Sequence, residues 1–370
     1  MGLEEKVKEN GIRNRVGIAS LLCSNKHEQI LETWETGIGF IVLKTMMDSD
    51  DKPNEQLHRQ PPHKTDENMT IYHTGTTCKE QYNFEDDNEA IVNLINMLYN
   101  EGVAIIPSIG TKKLGERPWE AMESCLAKTP ARVIELNLRY LYRELILKHA
   151  EIFKQNDREI YSDEYGTTHP NRELRMNGKQ LNYAKYHANI EFESTLGNIR
   201  EIFPPGNYAL IVKLWPGSEL KTHLLYVAEN SFDAVTLINS IKRDPPEPFT
   251  GLKETKLPQM SGYALRPYRD DALRLAREMR YELPIFASGG MGIEAVRLPP
   301  GWDGKSPIDE KTLQKNIKEG AMDLNRCFES GASYVELGSV AYIRGPLPIY
   351  DTIRSLLKEL GLANQTKTYK

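Results

Sequence analysis

Short apolar runs and longer amphipathic stretches alternate along almost the whole chain. The runs at 16–20, 39–45, 103–109, 132–138, 209–215, 234–240, 284–288 and 334–338 are brief, continuous and β-branched. That is the pattern of parallel strands buried on both faces. Between them, 88–100, 119–126, 220–229, 264–279 and 349–360 repeat apolar residues at helical spacing, with Lys, Arg and Glu on the other side. Eight strands each followed by a helix predict an α/β chain folded as one (β/α)8 barrel, a TIM barrel, over 1–370. A doubly wound open sheet is the alternative, and the eight regular repeats weigh against it.

Three connections are too long for plain barrel loops. The segment 46–87 is polar and holds Pro53, Pro61 and Pro62; 139–193 is rich in Tyr, Asn, Arg and His; 291–310 carries Pro299, Pro300, Gly301 and Trp302. Each follows a strand, so each is expected as a long loop insertion on the C-terminal face, where barrel sites form. Lineage-specific decoration or an oligomer contact is the other reading.

Composition narrows the function. With 39% apolar and 27% charged residues the chain is ordinary for a globular protein. A net charge of −5 without a basic stripe argues against a nucleic-acid partner. No stretch approaches the roughly 20 apolar residues of a membrane span, and the first residues carry no lipidation or secretion signal. A cytoplasmic chain with a small-molecule substrate is expected. Cys23, Cys78, Cys125 and Cys327 are scattered, which excludes the usual iron–sulfur and zinc spacings, and no metal is expected.

The candidate chemistry lies at strand ends. Ser288-Gly289-Gly290 closes the seventh run and Gly338-Ser339 the eighth, where barrels commonly hold phosphate on backbone N–H groups. Lys44 and Lys213 sit near or within strands. A lysine there is costly unless it faces a polar ligand or a carboxylate. Asn137 and Asn239 occupy similar strand-end positions. Satisfied core residues are the bland reading of each alone; four converging on one mouth favour a site.

With those residues assembled, the chain resembles the dihydroorotate dehydrogenase family of FMN-dependent barrels. Leu43-Lys44-Thr45, Glu135-Leu136-Asn137-Leu138, Val212-Lys213-Leu214 and Ile238-Asn239-Ser240 are similar to its strand-end motifs. Met260-Ser261-Gly262 with Arg266-Pro267, then Ser288-Gly289-Gly290, Gly331-Ala332, Gly338-Ser339 and Gly345-Pro346, follow in the family's order. The resemblance implies a bound FMN, its phosphate on Gly289, Gly290, Gly338 and Ser339, with Ala19, Ser20, Lys44, Asn137, Ser261 and Gly262 around it. It also implies that Lys213 lies beside the flavin edge that gains negative charge, and that Lys44, Asn83, Asn137 and Asn239 hold a flat anionic substrate. The family's cytosolic branch, often a homodimer, is the one implied.

The chain departs from the family where the proton moves. The motif after the fourth strand runs Asn137-Leu138-Arg139-Tyr140, with Tyr140 where the family has cysteine. A tyrosine is a poor general base at neutral pH and a reasonable general acid. Tyr140 is therefore the candidate proton donor, with Lys44 beside it in the catalytic set; aromatic packing is the bland alternative. Ile18-Ala19-Ser20 keeps Ala-Ser but continues with Leu21, and around Asn83 the asparagines remain without the family's glycine. The expected activity is an FMN-dependent oxidoreductase acting on a CH–CH bond, converting dihydroorotate to orotate in pyrimidine biosynthesis or handling a related ring. A flavin-binding scaffold or sensor without turnover is the alternative from another class, and a flavin-free phosphate-binding barrel a third.

Overall fold

The computed structural model describes residues 3–20, 27–48, 64–65, 70–73, 88–156, 166–169, 172–175, 178–242, 259–297, 307–338 and 349–362. Each of the eight apolar runs contains a strand. These are β1 (Val16–Ile18), β2 (Phe40–Val42, resuming as Met46–Asp48), β3 (Ile105–Ile106 and Ser108–Thr111), β4 (Val133–Asn137), β5 (Ala209–Lys213), β6 (Ala234–Leu237), β7 (Ile285–Ser288) and β8 (Tyr334–Leu337). Every neighbouring pair is parallel, and β8 returns to pair with β1. Strands β2 and β3 pair twice, Ile41 opposite Ile105 and, further along, Met47 opposite Gly110. The ten strand pieces are thus eight staves, and the sheet closes as a TIM barrel. Pro107 interrupts β3 because it has no N–H to give, yet its carbonyl still accepts from the Glu135 N–H at 2.8 Å.

Alternation along the staves sorts the core into two parts. Phe40, Val42, Ala104, Ile106, Val133, Ala209, Ile211, Ala234 and Phe286 pack together inside the barrel. Their sequence neighbours, such as Ile41, Ile105, Ile134, Leu210 and Val235, belong to the larger cluster shared with the surrounding helices. Phe286 stacks on Tyr334 with ring centroids 4.4 Å apart. The inner cluster is closed by α1 (Leu3–Glu9), which adds Leu3 and Val7.

The remaining helices are α2 (His27–Trp34), α3 (Asn88–Asn100), α4 (Arg117–Leu126), α5 (Arg139–Asn156), α6 (Gly178–Ile202), α7 (Leu220–Glu229), α8 (Arg266–Glu278), α9 (Glu310–Glu329) and α10 (Ile349–Glu359). The segment 139–193, expected as a long loop insertion, is therefore largely helical. Helices α5 and α6 pack against each other, and a small antiparallel pair, Gly166–His169 with Arg172–Arg175, lies between them in sequence. Composition hid this: on α6 the buried apolar stripe is Ala184, Ala188, Phe192, Leu196 and Ile199, with Gln180 and Arg200 buried as well, and the other faces carry polar side chains and tyrosines.

The other two insertions also carry structure. Lys64–Thr65 and Thr70–His73 join Gln259–Gly262 and Ile241–Lys242 in a four-stranded antiparallel patch. This patch ties the connection after β2 to the one after β6. Within 291–310, a 3-10 turn spans Ile293–Val296, and Asp309 caps α9 by accepting from the Thr312 N–H at 2.9 Å.

Candidate functional site

The inner face changes chemistry along the barrel axis. Val133, Ala209 and Ala234 begin their staves as apolar residues, and the same inward parity then delivers Glu135 and Asn137 on β4, Lys213 on β5 and Thr236 on β6. Lys213 is 5% exposed and Glu135 1%. The lysine Nζ lies 3.2 Å from both oxygens of Glu135. Glu135 also accepts from the Ser108 hydroxyl at 2.8 Å and the Thr236 hydroxyl at 3.1 Å. A second carboxyl, Glu336 on β8, is also 1% exposed, its Oε2 3.9 Å from Lys213 Nζ. Burial pushes Lys213 down, but Glu135 and Glu336 outweigh it and hold the ammonium above its ordinary range. Burial, with the charge of Glu135 added, pushes the Glu336 carboxyl up to about 8.

Above this triad a chain of polar side chains crosses the mouth. Ser20 Oγ accepts from the Thr45 N–H at 2.9 Å, and the two hydroxyls are 3.3 Å apart. Thr45 Oγ1 is 3.0 Å from Ser108 Oγ and accepts from Asn137 Nδ2 at 3.2 Å. Asn137 Oδ1 accepts from Asn239 Nδ2 at 3.1 Å, and Asn239 Oδ1 from the Ser240 N–H at 2.8 Å. Ends of β1, β2, β3, β4 and β6 are thereby joined, and the sequence candidates Ser20, Asn137 and Asn239 fall on one shelf with Ala19 buried beside it.

At the other side of the mouth, Gly289 and Gly290 both have positive φ, 102° and 68°. A Cβ on Gly290 would lie 2.9 Å from the Gly262 carbonyl oxygen, so the turn depends on glycine to pack against the segment that starts α8. Gly338 differs: among the described residues a Cβ there would meet only the Ala19 Cβ at 3.8 Å. Packing among the described residues gives no reason for glycine at 338, whereas close approach of a ligand to the backbone would. Beneath the turn, Arg269 holds Asp323 through two hydrogen bonds of 2.9 and 3.0 Å, and Arg266 pairs with Glu294 and Asp323. These arginines brace the turn and are committed to carboxylates.

Lys44 and Tyr140 stand apart. Both are half-buried, and among the described residues no hydrogen bond joins either to the shelf. Tyr140 lies in the first turn of α5, not in a loop, because the helix begins at Arg139 directly after Leu138. Arg139 donates from Nη1 to the Ser240 carbonyl, tying the start of α5 to the end of β6. Asn83 and Ser339 lie outside the described residues, as does the side chain of Ser261. Sequence reasoning missed Glu135, Glu336, Ser108, Thr45 and Thr236. The signal was parity: Glu135 stands two before Asn137, and Glu336 two before Gly338, on the inward face.

A second buried polar cluster lies outside the barrel, under α5 and α6. His223 on α7 is fully buried among Tyr142, Phe192 and Trp215, with ring centroids 4.8 to 5.1 Å away. Its Nε2 is 3.1 Å from Asn189 Oδ1, which also accepts from the Tyr142 hydroxyl at 2.8 Å. Burial lowers the His223 pKa to about 4, so the ring is neutral and Nε2 carries the hydrogen. Among the described residues, no helix is long and apolar enough to cross a membrane.

No family model and no curated protein sequence matches the chain. Among solved structures it is similar to a DHODH from Eimeria tenella in complex with ferulenol, at 15% identity and a TM-score of 0.51, over 96% of this chain and 84% of that one. At that identity the likeness concerns architecture, and it agrees with the closed α/β barrel that the strand pairing gives.

Proposed function

We propose that the chain is an FMN-dependent oxidoreductase of the cytoplasm acting on a CH–CH bond of a flat anionic ring, with dihydroorotate the first candidate. The observation that carries this reading is Lys213, a buried cation at the mouth end of β5 with two of its three N–H groups on Glu135. A fixed cation there favours a ligand that becomes electron-rich. The described residues fit the cofactor: Gly289 and Gly290 form a glycine turn at the β7 end, and Gly338 leaves open backbone at the β8 end. Ser339 would join them on the phosphate, with Ala19, Ser20, Lys44, Ser261 and Gly262 along the ring. FMN, when bound, supplies the acceptor for hydride from a C–H bond.

The chain's own residues do the rest. Asn137 and Asn239, locked to each other and to Thr45, present amide groups in a fixed orientation, so little ordering is left for binding. Asn83 and Lys44 complete the substrate set in this reading. Where the ring is reduced, Tyr140 is the proton donor to carbon, its position set by the start of α5 and the Arg139 tie to Ser240; oxidation of dihydroorotate instead needs a group that accepts the C5 proton, a role a neutral phenol does not fill.

One observation favours a second reading, a flavin-binding barrel without turnover. Helix α5 begins so soon after β4 that no loop intervenes there to bring in a base. An absorbance spectrum of the purified protein, followed by anaerobic addition of dihydroorotate, tests both. A flavin spectrum that bleaches supports the oxidoreductase. A flavin spectrum that no dihydro-ring substrate bleaches supports the scaffold, and a protein that retains no flavin on reconstitution overturns both.

A further inference from the structure

The buried triad holds more carboxyl groups than cations, and its geometry says which one is spare. Glu135 accepts four hydrogen bonds from three groups: two from Lys213, and one each from the hydroxyls of Ser108 and Thr236. It is saturated as an ionised carboxylate. Glu336 is as deeply buried, yet among the described residues its Oε2 has no hydrogen-bond partner, and it stays 3.9 Å from Lys213 Nζ. Two ionised carboxylates and one ammonium would leave a net negative charge sealed inside the barrel, which is costly.

We propose that Glu336 is the proton-holding member of this triad, a positioning residue whose protonation keeps the third N–H of Lys213 free for the ligand seated at the mouth. Two of the three lysine hydrogens go to Glu135. The third is contested between Glu336 and a ligand. While Glu336 carries a proton, the triad is neutral and the ligand takes that hydrogen. Once Glu336 ionises, it draws the ammonium toward itself and adds negative charge under the site. This inference rests on the proposed function for the identity of the ligand, and on the geometry alone for the proton.

The groups facing Glu336 are consistent with this. From β5 comes Lys213, which favours ionisation; from β4 comes Glu135, which opposes it; Ser288 on β7 and Thr236 on β6 add hydroxyls that favour it. On its other flank β1 places Gly17, which carries no charge. Burial is the largest influence and decides the balance for the neutral acid, with ionisation near pH 8.

Infrared difference spectroscopy of the full chain before flavin is added tests the proton directly. The expected result is a carboxylic-acid carbonyl band at pH 6 that disappears as the pH passes through about 8, and that Glu336→Gln removes. Should that variant fail to fold, Glu336→Asp is expected to displace the band instead. A wild-type spectrum without a protonated-carboxyl band at pH 6, or with one that Glu336→Gln leaves in place, overturns the proposal. With FMN loaded, the midpoint potential of the wild type is expected to change its slope against pH where the band is lost, and Glu336→Gln to give no such break. An unbroken line in both proteins overturns the link to the ligand. Failure to bind FMN at all would sink the proposed function while leaving the infrared result to stand or fall by itself.

Discussion

The barrel interior and the nest around His223 solve the same problem with opposite proton bookkeeping. Both bury a titratable group completely, and in both burial disfavours the charged form. Glu336 answers by keeping its proton, with a carboxyl pushed up to about 8, and His223 by losing one, with a ring lowered to about 4. The surroundings differ more than the principle does. His223 is walled by Tyr142, Phe192 and Trp215 and has one polar partner, Asn189. Glu336 shares its space with a lysine, a second carboxylate and hydroxyls, directly beneath the polar shelf. Neutrality in a sealed aromatic nest serves packing. Neutrality next to a partly committed cation leaves a hydrogen available for a ligand.

The sharpest way to break that comparison is to remove the cation. Lys213→Met leaves Glu135 facing Glu336 without compensation and is expected to cost about 3–5 kcal/mol in chemical denaturation. Adding Glu135→Gln should restore most of the stability and none of the flavin retention. If the single variant is as stable as the wild type, the triad does not hold the charges assigned to it.

A smaller effect is expected at the nest. His223 binds fewer protons folded than unfolded between about pH 4 and 6.5. The stability it allows is full above the unfolded pKa and is lost as pH falls through that window, by about 3 kcal/mol at most. His223→Gln should flatten this acid limb in thermal melts. Glu336 tilts the curve the other way: its folded form holds a proton that the unfolded chain releases, so stability drops as pH rises toward about 8. Glu336→Gln should flatten that limb and leave the acid one alone.

Gly290→Ala probes the glycine turn. Its positive φ and the 2.9 Å approach to the Gly262 carbonyl should cost about 1–3 kcal/mol and lower FMN retention together. Gly338→Ala, where packing among the described residues is open, should lower retention with little change in melting. The smallest effect belongs to Asn239→Ala, which removes the tie to Asn137 Oδ1. Roughly tenfold weaker binding of an orotate-type ligand is expected, about 1.4 kcal/mol, read by titrating the flavin spectrum; unchanged affinity would take Asn239 out of the site.

The staves were legible because buried parallel strands are apolar throughout, and helices such as Asn88–Asn100 because one apolar stripe dominates their pattern. Helix α6 was not, since its buried stripe is narrow and includes alanines, and tyrosines on other faces blur the period. The mouth residues could be read from strand ends. Glu135 and Glu336 required a further step, recognising that a cation inside a stave needs a counter-charge of the same parity. Tyr140 falls in the first turn of α5, a helix that packs against α6, and local pattern does not encode that packing.

Helix α1 gives the barrel a stopper. With Leu3 and Val7 seated on Phe40, Val133, Ala209 and Phe286, the end opposite the shelf is filled by hydrocarbon, through which hydronium does not pass. If protons and water then enter only from the mouth side, a ligand that settles on the shelf also corks the path by which Glu336 equilibrates with solvent. Isotope exchange at that carboxyl should then be quick in the empty barrel and slow in the filled one, making the acid a clock for how long the mouth stays occupied.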